Sequence, residues 1–112
     1  MKRRPTPRRL YAWDLAHELF SSRGSAPLVV CADPENCETM KIDPSISLQE
    51  FTSRLETIPK DREIVFYSKL ASDSAAAERA REYLEKGFSG TASLEGGFEA
   101  WITIANFLPG KR

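Results

Sequence analysis

Metal-ligating and nucleophilic side chains are scarce in this chain of 112 residues, which has one histidine and two cysteines. His17 stands without a second ligand at a matching spacing, so it is expected at the surface or packed on a helix rather than at a catalytic centre. Cys31 and Cys37 are too few for a disulfide scaffold, and their spacing matches neither a zinc pattern nor Cys-x-x-Cys. Two reduced thiols are expected, with no metal and no cofactor. No apolar run approaches the roughly 20 residues of a membrane-spanning helix, and the N-terminus has no apolar stretch of signal-peptide type. These absences point to a cytoplasmic protein with no membrane partner.

Net charge is also missing, since 16 basic residues balance 16 acidic ones. The balance is uneven along the chain. Lys2, Arg3, Arg4, Arg8 and Arg9 put five positive charges in the first nine residues, leaving 11 basic against 16 acidic residues in the remainder. With Pro5 and Pro7 inside it, segment 1–9 is expected to be a basic flexible tail ahead of a single domain spanning 10–112. No aromatic residues are interleaved to stack on bases, and the body is acidic, which argues against nucleic acid as a partner of anything but the tail.

What is present suits one small folded domain. Hydrophobic residues make up 41% and charged residues 29% of the chain, a globular rather than a disordered composition, and the length allows one core but not two. Ile64-Val65-Phe66-Tyr67 is a run of four apolar, β-favouring residues, suited to a central parallel strand buried on both faces. Ser68 to Asp73 is small and polar, and a helix follows from Ser74. A helix N-terminus at the end of such a strand turns unpaired N–H groups and a positive dipole end toward the loop. The loop Ser68, Lys69, Leu70, Ala71, Ser72, Asp73, Ser74 is therefore the candidate binding site. Serine hydroxyls and the Lys69 amine are its polar contacts, although serine and aspartate ahead of a helix also serve as plain N-caps.

The rest of the chain alternates helix and strand. Ala12, Leu15, Ala16, Leu19 and Phe20 predict a first helix, ended near Gly24. Leu28 to Ala32 is a buried strand with Cys31 in the core. The acidic segment from Asp33 to Thr39, which holds Cys37, lacks the ligand spacing of a calcium loop and is taken as solvated. Met40 to Ile42 is expected as a short strand. Ser47-Leu48-Gln49-Glu50 has capping-box spacing and opens a second helix with Leu48, Phe51, Leu55 and Ile58 inward, stopped at Pro59. Ala76, Ala80, Tyr83 and Leu84 line the buried face of a third helix closed by Gly87, with Glu82 and Lys86 paired outside. Thr91 to Leu94 is a last strand. Gly96-Gly97 turns into a last helix with Phe98, Trp101, Ile102 and Ala105 on one face. This order implies an α/β fold of three layers, a mostly parallel central sheet with helices on both faces.

The later half carries a family pattern. Strand 64–67, a six-residue loop, the helix from Ser74 to Lys86, Gly87-Phe88, a short strand and Leu94-Glu95-Gly96-Gly97-Phe98-Glu99-Ala100-Trp101 resemble the second half of a rhodanese domain, a sulfurtransferase fold. That family keeps a cysteine at the start of the loop, in the pattern Cys-x-x-Gly-x-Arg-Ser, which takes up sulfur as a persulfide while loop N–H groups and the arginine hold the negative charge. Alignment places the nucleophile position at Ser68, the glycine at Ala71, the arginine at Asp73 and the serine at Ser74. A serine hydroxyl forms no persulfide and has no base identifiable beside it, while Asp73 reverses the sign of the anion-holding group. The family's Asp-x-Arg strand end is here Cys31-Ala32-Asp33, and its Gly-His-Ile-Pro-Gly-Ala stretch has no counterpart.

The resemblance thus implies a degenerate, catalytically inactive rhodanese-like domain, a binding or regulatory module for an unknown protein partner or a small anion. The alternative is a sulfurtransferase that uses Cys37 or Cys31. Against it, Cys31 is expected to be a core thiol, and Glu35 and Glu38 discourage a thiolate at Cys37. Phosphatase chemistry on this fold needs the same missing cysteine and arginine.

Overall fold

The computed structural model describes residues 6–21, 26–33, 37–42, 45–69 and 75–105. Five strands form one sheet: β1 (Arg8–Leu10), β2 (Leu28–Cys31), β3 (Ile46–Ser47), β4 (Ile64–Tyr67) and β5 (Thr91–Leu94). They lie in the order β1-β5-β4-β2-β3, and every pairing is parallel. Strand β4 is central, with all four residues buried, as expected of an apolar run covered on both faces.

Alternation along the strands sorts the core into two halves. Val65 and Tyr67 face one side with Val29, Cys31 and Leu94, under helices α1 (Ala12–Ser21) and α4 (Gly97–Ala105), which supply Leu15, Ala16, Trp101 and Ile104. Ile64 and Phe66 face the other side with Val30, under α2 (Leu48–Ser53) and α3 (Ala75–Glu85). There an aromatic cluster fills the space: Phe51 meets Tyr83 edge to face at 4.9 Å between centroids and Phe66 at 5.4 Å, while Phe66 and Tyr83 stack at 5.6 Å.

Local sequence rules account for most element ends. The Ser47 hydroxyl caps α2 by accepting from the Glu50 N–H at 3.0 Å, while the Glu50 carboxylate pairs with Arg54 instead of reaching back. α2 gives way to a single 3-10 turn at Leu55–Thr57, before Pro59. Gly87, at φ +101°, ends α3: its N–H donates to the Leu84 carbonyl, the Phe88 N–H donates back to Tyr83, and the two rings lie 6.1 Å apart. This is the Schellman arrangement with its hydrophobic contact. Gly96, at φ +85°, has no room for a side chain, since a Cβ there would lie 2.7 Å from that of Ala100. The expected Glu82–Lys86 pair spans 3.3 Å.

Four expectations are corrected. Arg8 and Arg9 are not part of a loose tail; they belong to β1, in register with Ala92 and Ser93, and pair with Glu63 at 2.6 Å and Glu95 at 3.5 Å. Met40 to Ile42 is not a strand, because Met40 O and Ile42 N bond the Tyr67 side chain; the short strand is Ile46–Ser47. Phe20 is 59% exposed, since α1 turns it away from the face that buries Leu15 and Ala16. In α4, Ile104 rather than Ile102 joins Trp101 in the core, while Ile102 is 51% exposed. Residues 1–5 of the tail and the C-terminal stretch around Pro109 lie outside the described residues. Among the described residues, no helix is long and apolar enough to cross a membrane.

Candidate functional site

The carboxyl ends of β2, β3 and β4 bring the candidate residues together. Ser68 follows β4 directly, is 1% exposed, and accepts the Phe98 N–H on its carbonyl at 2.8 Å, so the turn that opens α4 is tied to the start of the loop. Lys69 is exposed. Leu70, Ala71, Ser72, Asp73 and Ser74 lie outside the described residues, and α3 is described from Ala75.

Tyr67, the last residue of β4, is expected from the sequence as a strand residue and not as part of the site. Its ring is fully buried and its hydroxyl joins three groups: it donates to Met40 O at 2.8 Å and accepts from Ile42 N at 3.3 Å and from Ser45 Oγ at 3.1 Å. Segment 40–45 is thereby fastened to the strand that ends in Ser68. A tyrosine at the end of an apolar strand is the only trace of this in the sequence, because a buried phenol requires a partner.

The cysteines depart most from expectation. Cys31 and Cys37 are not two free thiols but a disulfide, with Cα atoms 5.8 Å apart, inside the range the bond requires. Cys31 is buried at 1% exposure, as expected, whereas Cys37, expected in a solvated segment, is half-buried against the core face of α1 and α4. Both line a cleft of about 180 Å³ with Glu38, Lys41, Ser45, Ile46, Ser47 and Glu50. Adjacent pairing explains its place beside the Ser68 loop, since Cys31 is in register with Tyr67 and Ala32 N donates to Tyr67 O at 2.7 Å.

A second cleft, of about 220 Å³, is lined by Thr6, Pro7, Arg9, Ala77, Arg81 and Ser93. Its two guanidinium groups already face carboxylates, Arg9 toward Glu95 at 3.5 Å and Arg81 toward Glu78 at 3.8 Å. At the opposite end of β4 from Ser68, Glu18 approaches Glu63. Burial first, and then the hydrogen bond and charge of Glu63, push the Glu18 carboxyl up to about 7 against the pull of Arg8. Its Oε1 is sealed from solvent without a hydrogen-bond partner. His17 is exposed on α1. Among the described residues, no group of three or more His, Cys, Asp and Glu is placed to hold a metal ion.

Comparison with known proteins agrees with this architecture. The family model for the rhodanese-like domain matches residues 18–103. Among solved structures, the Alr3790 protein of Anabaena sp. superposes with a TM-score of 0.71 at 19% identity, over 85% of this chain and 86% of that one. A Rhodopseudomonas palustris protein of unknown function, described as a possible tyrosine phosphatase, gives 0.68 at 22% identity over 87% and 80%. A single-domain sulfurtransferase of Saccharomyces cerevisiae gives 0.64 at 17% identity over 91% and 94%. At these identities the likenesses show the fold alone. No curated protein matches the chain. With three-quarters of its residues inside the family model and the parallel sheet, crossover helices and Gly96-Gly97 turn in place, the chain belongs to the rhodanese-like domain family.

Proposed function

We propose that this chain is a rhodanese-like binding module that transfers no sulfur at the family's loop position and uses the loop from Ser68 to Ser74 to hold a small anion or a protein partner. One observation carries the reading: the residue after β4 is a buried serine, and the chain's two cysteines, Cys31 at the end of the neighbouring strand and Cys37 beyond it, are joined to each other. A serine hydroxyl is a far weaker acid than a thiol and gives no persulfide, so the family's covalent step has no acceptor at Ser68. Binding needs less. A loop between a buried strand and the N-terminus of α3, with Lys69 exposed beside it, offers N–H donors and one cation to an anion.

Thiosulfate tests both halves of this reading. Thiocyanate release from thiosulfate and cyanide should stay at the protein-free rate for the oxidised and the reduced protein. Amide shifts on titrating thiosulfate should cluster from Lys69 to Ala75, with no mass adduct. Turnover that disappears in Cys37→Ser would replace the binding reading with the competing one, sulfur transfer through a reduced Cys37 or Cys31. An absence of shifts around Lys69 would remove the small anion as the ligand and leave the partner protein.

A further inference from the structure

We propose that the Cys31–Cys37 disulfide is a thiol–disulfide exchange site, in which a small carboxylate-bearing peptide thiol enters the cleft beside Lys41 and attacks Cys37 Sγ. The inference goes beyond the binding role of the Ser68 loop and does not depend on it. The two cysteines are unequal: both border the cleft, but Cys31 is 1% exposed and Cys37 is half-buried, so Cys37 Sγ is the sulfur an incoming thiolate meets. The cleft of about 180 Å³ far exceeds the roughly 10–15 Å³ that one water requires. Its walls offer the Lys41 amine and the Ser47 hydroxyl to a carboxylate or a peptide group. Of its two acidic residues, Glu50 is already paired with Arg54.

Carbonyl oxygens lie beside both sulfurs and become acceptors once the bond is opened. The Asp33 carbonyl oxygen lies 3.0 Å from Cys37 Sγ and 3.5 Å from Cys31 Sγ, and the Cys31 carbonyl lies 3.7 Å from Cys37 Sγ. When the bond opens, each new S–H has a backbone carbonyl close by as acceptor. The fold does not depend on the bond for its register either. Strand β2 is paired on both sides, by β3 and β4, and residues 40–42 are tied separately by the Tyr67 hydroxyl.

The exchange balances in two steps. The thiol R–SH loses its proton to solvent, and R–S⁻ forms a bond to Cys37 Sγ as the Cys31–Cys37 bond breaks. The electron pair leaves on Cys31 Sγ, which takes a proton and donates it to Asp33 O. A second R–S⁻ attacks the R-side sulfur of the mixed disulfide, forms R–S–S–R, and releases Cys37 as the thiolate, which is protonated in turn. Two molecules of R–SH are oxidised, and the protein disulfide is reduced by the same two electrons.

Glutathione is the probe, with the full chain in the absence of denaturant. The native protein should be reduced at a rate proportional to glutathione concentration, and acid-quenched samples should carry one glutathione on Cys37 by peptide mass mapping. With oxidised glutathione, Cys31→Ser should accumulate a lasting adduct at Cys37, whereas Cys37→Ser should be labelled only in urea. Lys41→Gln should slow the reaction with glutathione severalfold and leave that with neutral 2-mercaptoethanol unchanged, a difference that a merely structural role would not produce. Reduction at the unfolding rate, independent of thiol concentration, or an adduct on Cys31 in the native wild type, would overturn the proposal. An equal response of the two thiols to Lys41→Gln would overturn the assignment of a carboxylate-bearing substrate. The thiocyanate assay touches none of these readouts, so failure of either proposal is recognised separately.

Discussion

Replacing Tyr67 with phenylalanine removes one oxygen atom and leaves three groups around it without a partner. Met40 is 6% exposed, Ile42 is 0% and Ser45 is 6%, so water does not take the hydroxyl's place without rearrangement. Ser45 Oγ rotates to another acceptor at little cost. Met40 O and Ile42 N are fixed by the backbone, and each stranded buried group costs about 1–2 kcal/mol, the lower part of the usual range because the Ile42 bond is long at 3.3 Å. The ring itself keeps its packing, including the contact with Phe98 at 6.3 Å. The expected loss is therefore about 2–4 kcal/mol, a large share of the roughly 5–15 kcal/mol typical of a domain. Urea unfolding followed by tryptophan fluorescence measures it. With a slope near 2 kcal/mol/M, the midpoint should fall by about 1–2 M with the slope unchanged. Ser45→Ala alone should cost about 1 kcal/mol, and the double variant less than the sum, because both act on one network. A Tyr67→Phe protein within about 0.5 kcal/mol of the wild type would refute the claim that this hydroxyl fastens segment 40–45.

Trp101 is 8% exposed between α4 and the sheet, and Trp101→Ala should cost about 3–5 kcal/mol in the same unfolding experiment; a near-neutral result would mean that α4 is not docked through this ring. Glu18 gives a pH signature. Its folded carboxyl, raised from 4.5 to about 7, holds a proton more tightly than the unfolded chain does, so its contribution to stability is complete below 4.5 and is lost as the pH rises through 7. Glu18→Gln should match the wild type near pH 5 and exceed it by about 1 kcal/mol near pH 8, less than the full shift implies because the residue is partly exposed to solvent. A gap between the two proteins that stays constant across that range would show that Glu18 does not titrate as described.

The alternation of elements was legible in the sequence because it depends on short-range signals. Four β-favouring residues at 64–67, small residues every three or four positions in α3, Gly87 at a helix end and Gly96-Gly97 before α4 each act over a few residues, and each is where those signals place it. The resemblance to rhodanese domains rested on the same local features together with their order. The site was legible only as a position on the chain: Ser68 follows the central strand, but the Tyr67 network left no more than a tyrosine at the strand's end, and the cleft at Lys41 and Ser45 left no pattern in the sequence. The Tyr67 network depends on contacts between residues more than 20 positions apart, and the cleft on how the chain folds back after β2.

Tertiary structure alone decided the rest. Arg8 and Arg9 become strand rather than tail because β5, more than 80 residues later, supplies parallel partners for their backbone groups. The choice of Ile104 over Ile102 follows from how α4 is rotated against α1 and the sheet, a rotation that an almost wholly apolar helix does not specify by itself. The cysteines show the same limit: a spacing of six says nothing about distance until Cys31 is held by β4 and Cys37 is packed against the α1 and α4 face. Local sequence sets backbone preference within a turn or a strand, whereas pairing across the chain is set by which surfaces the whole core brings together.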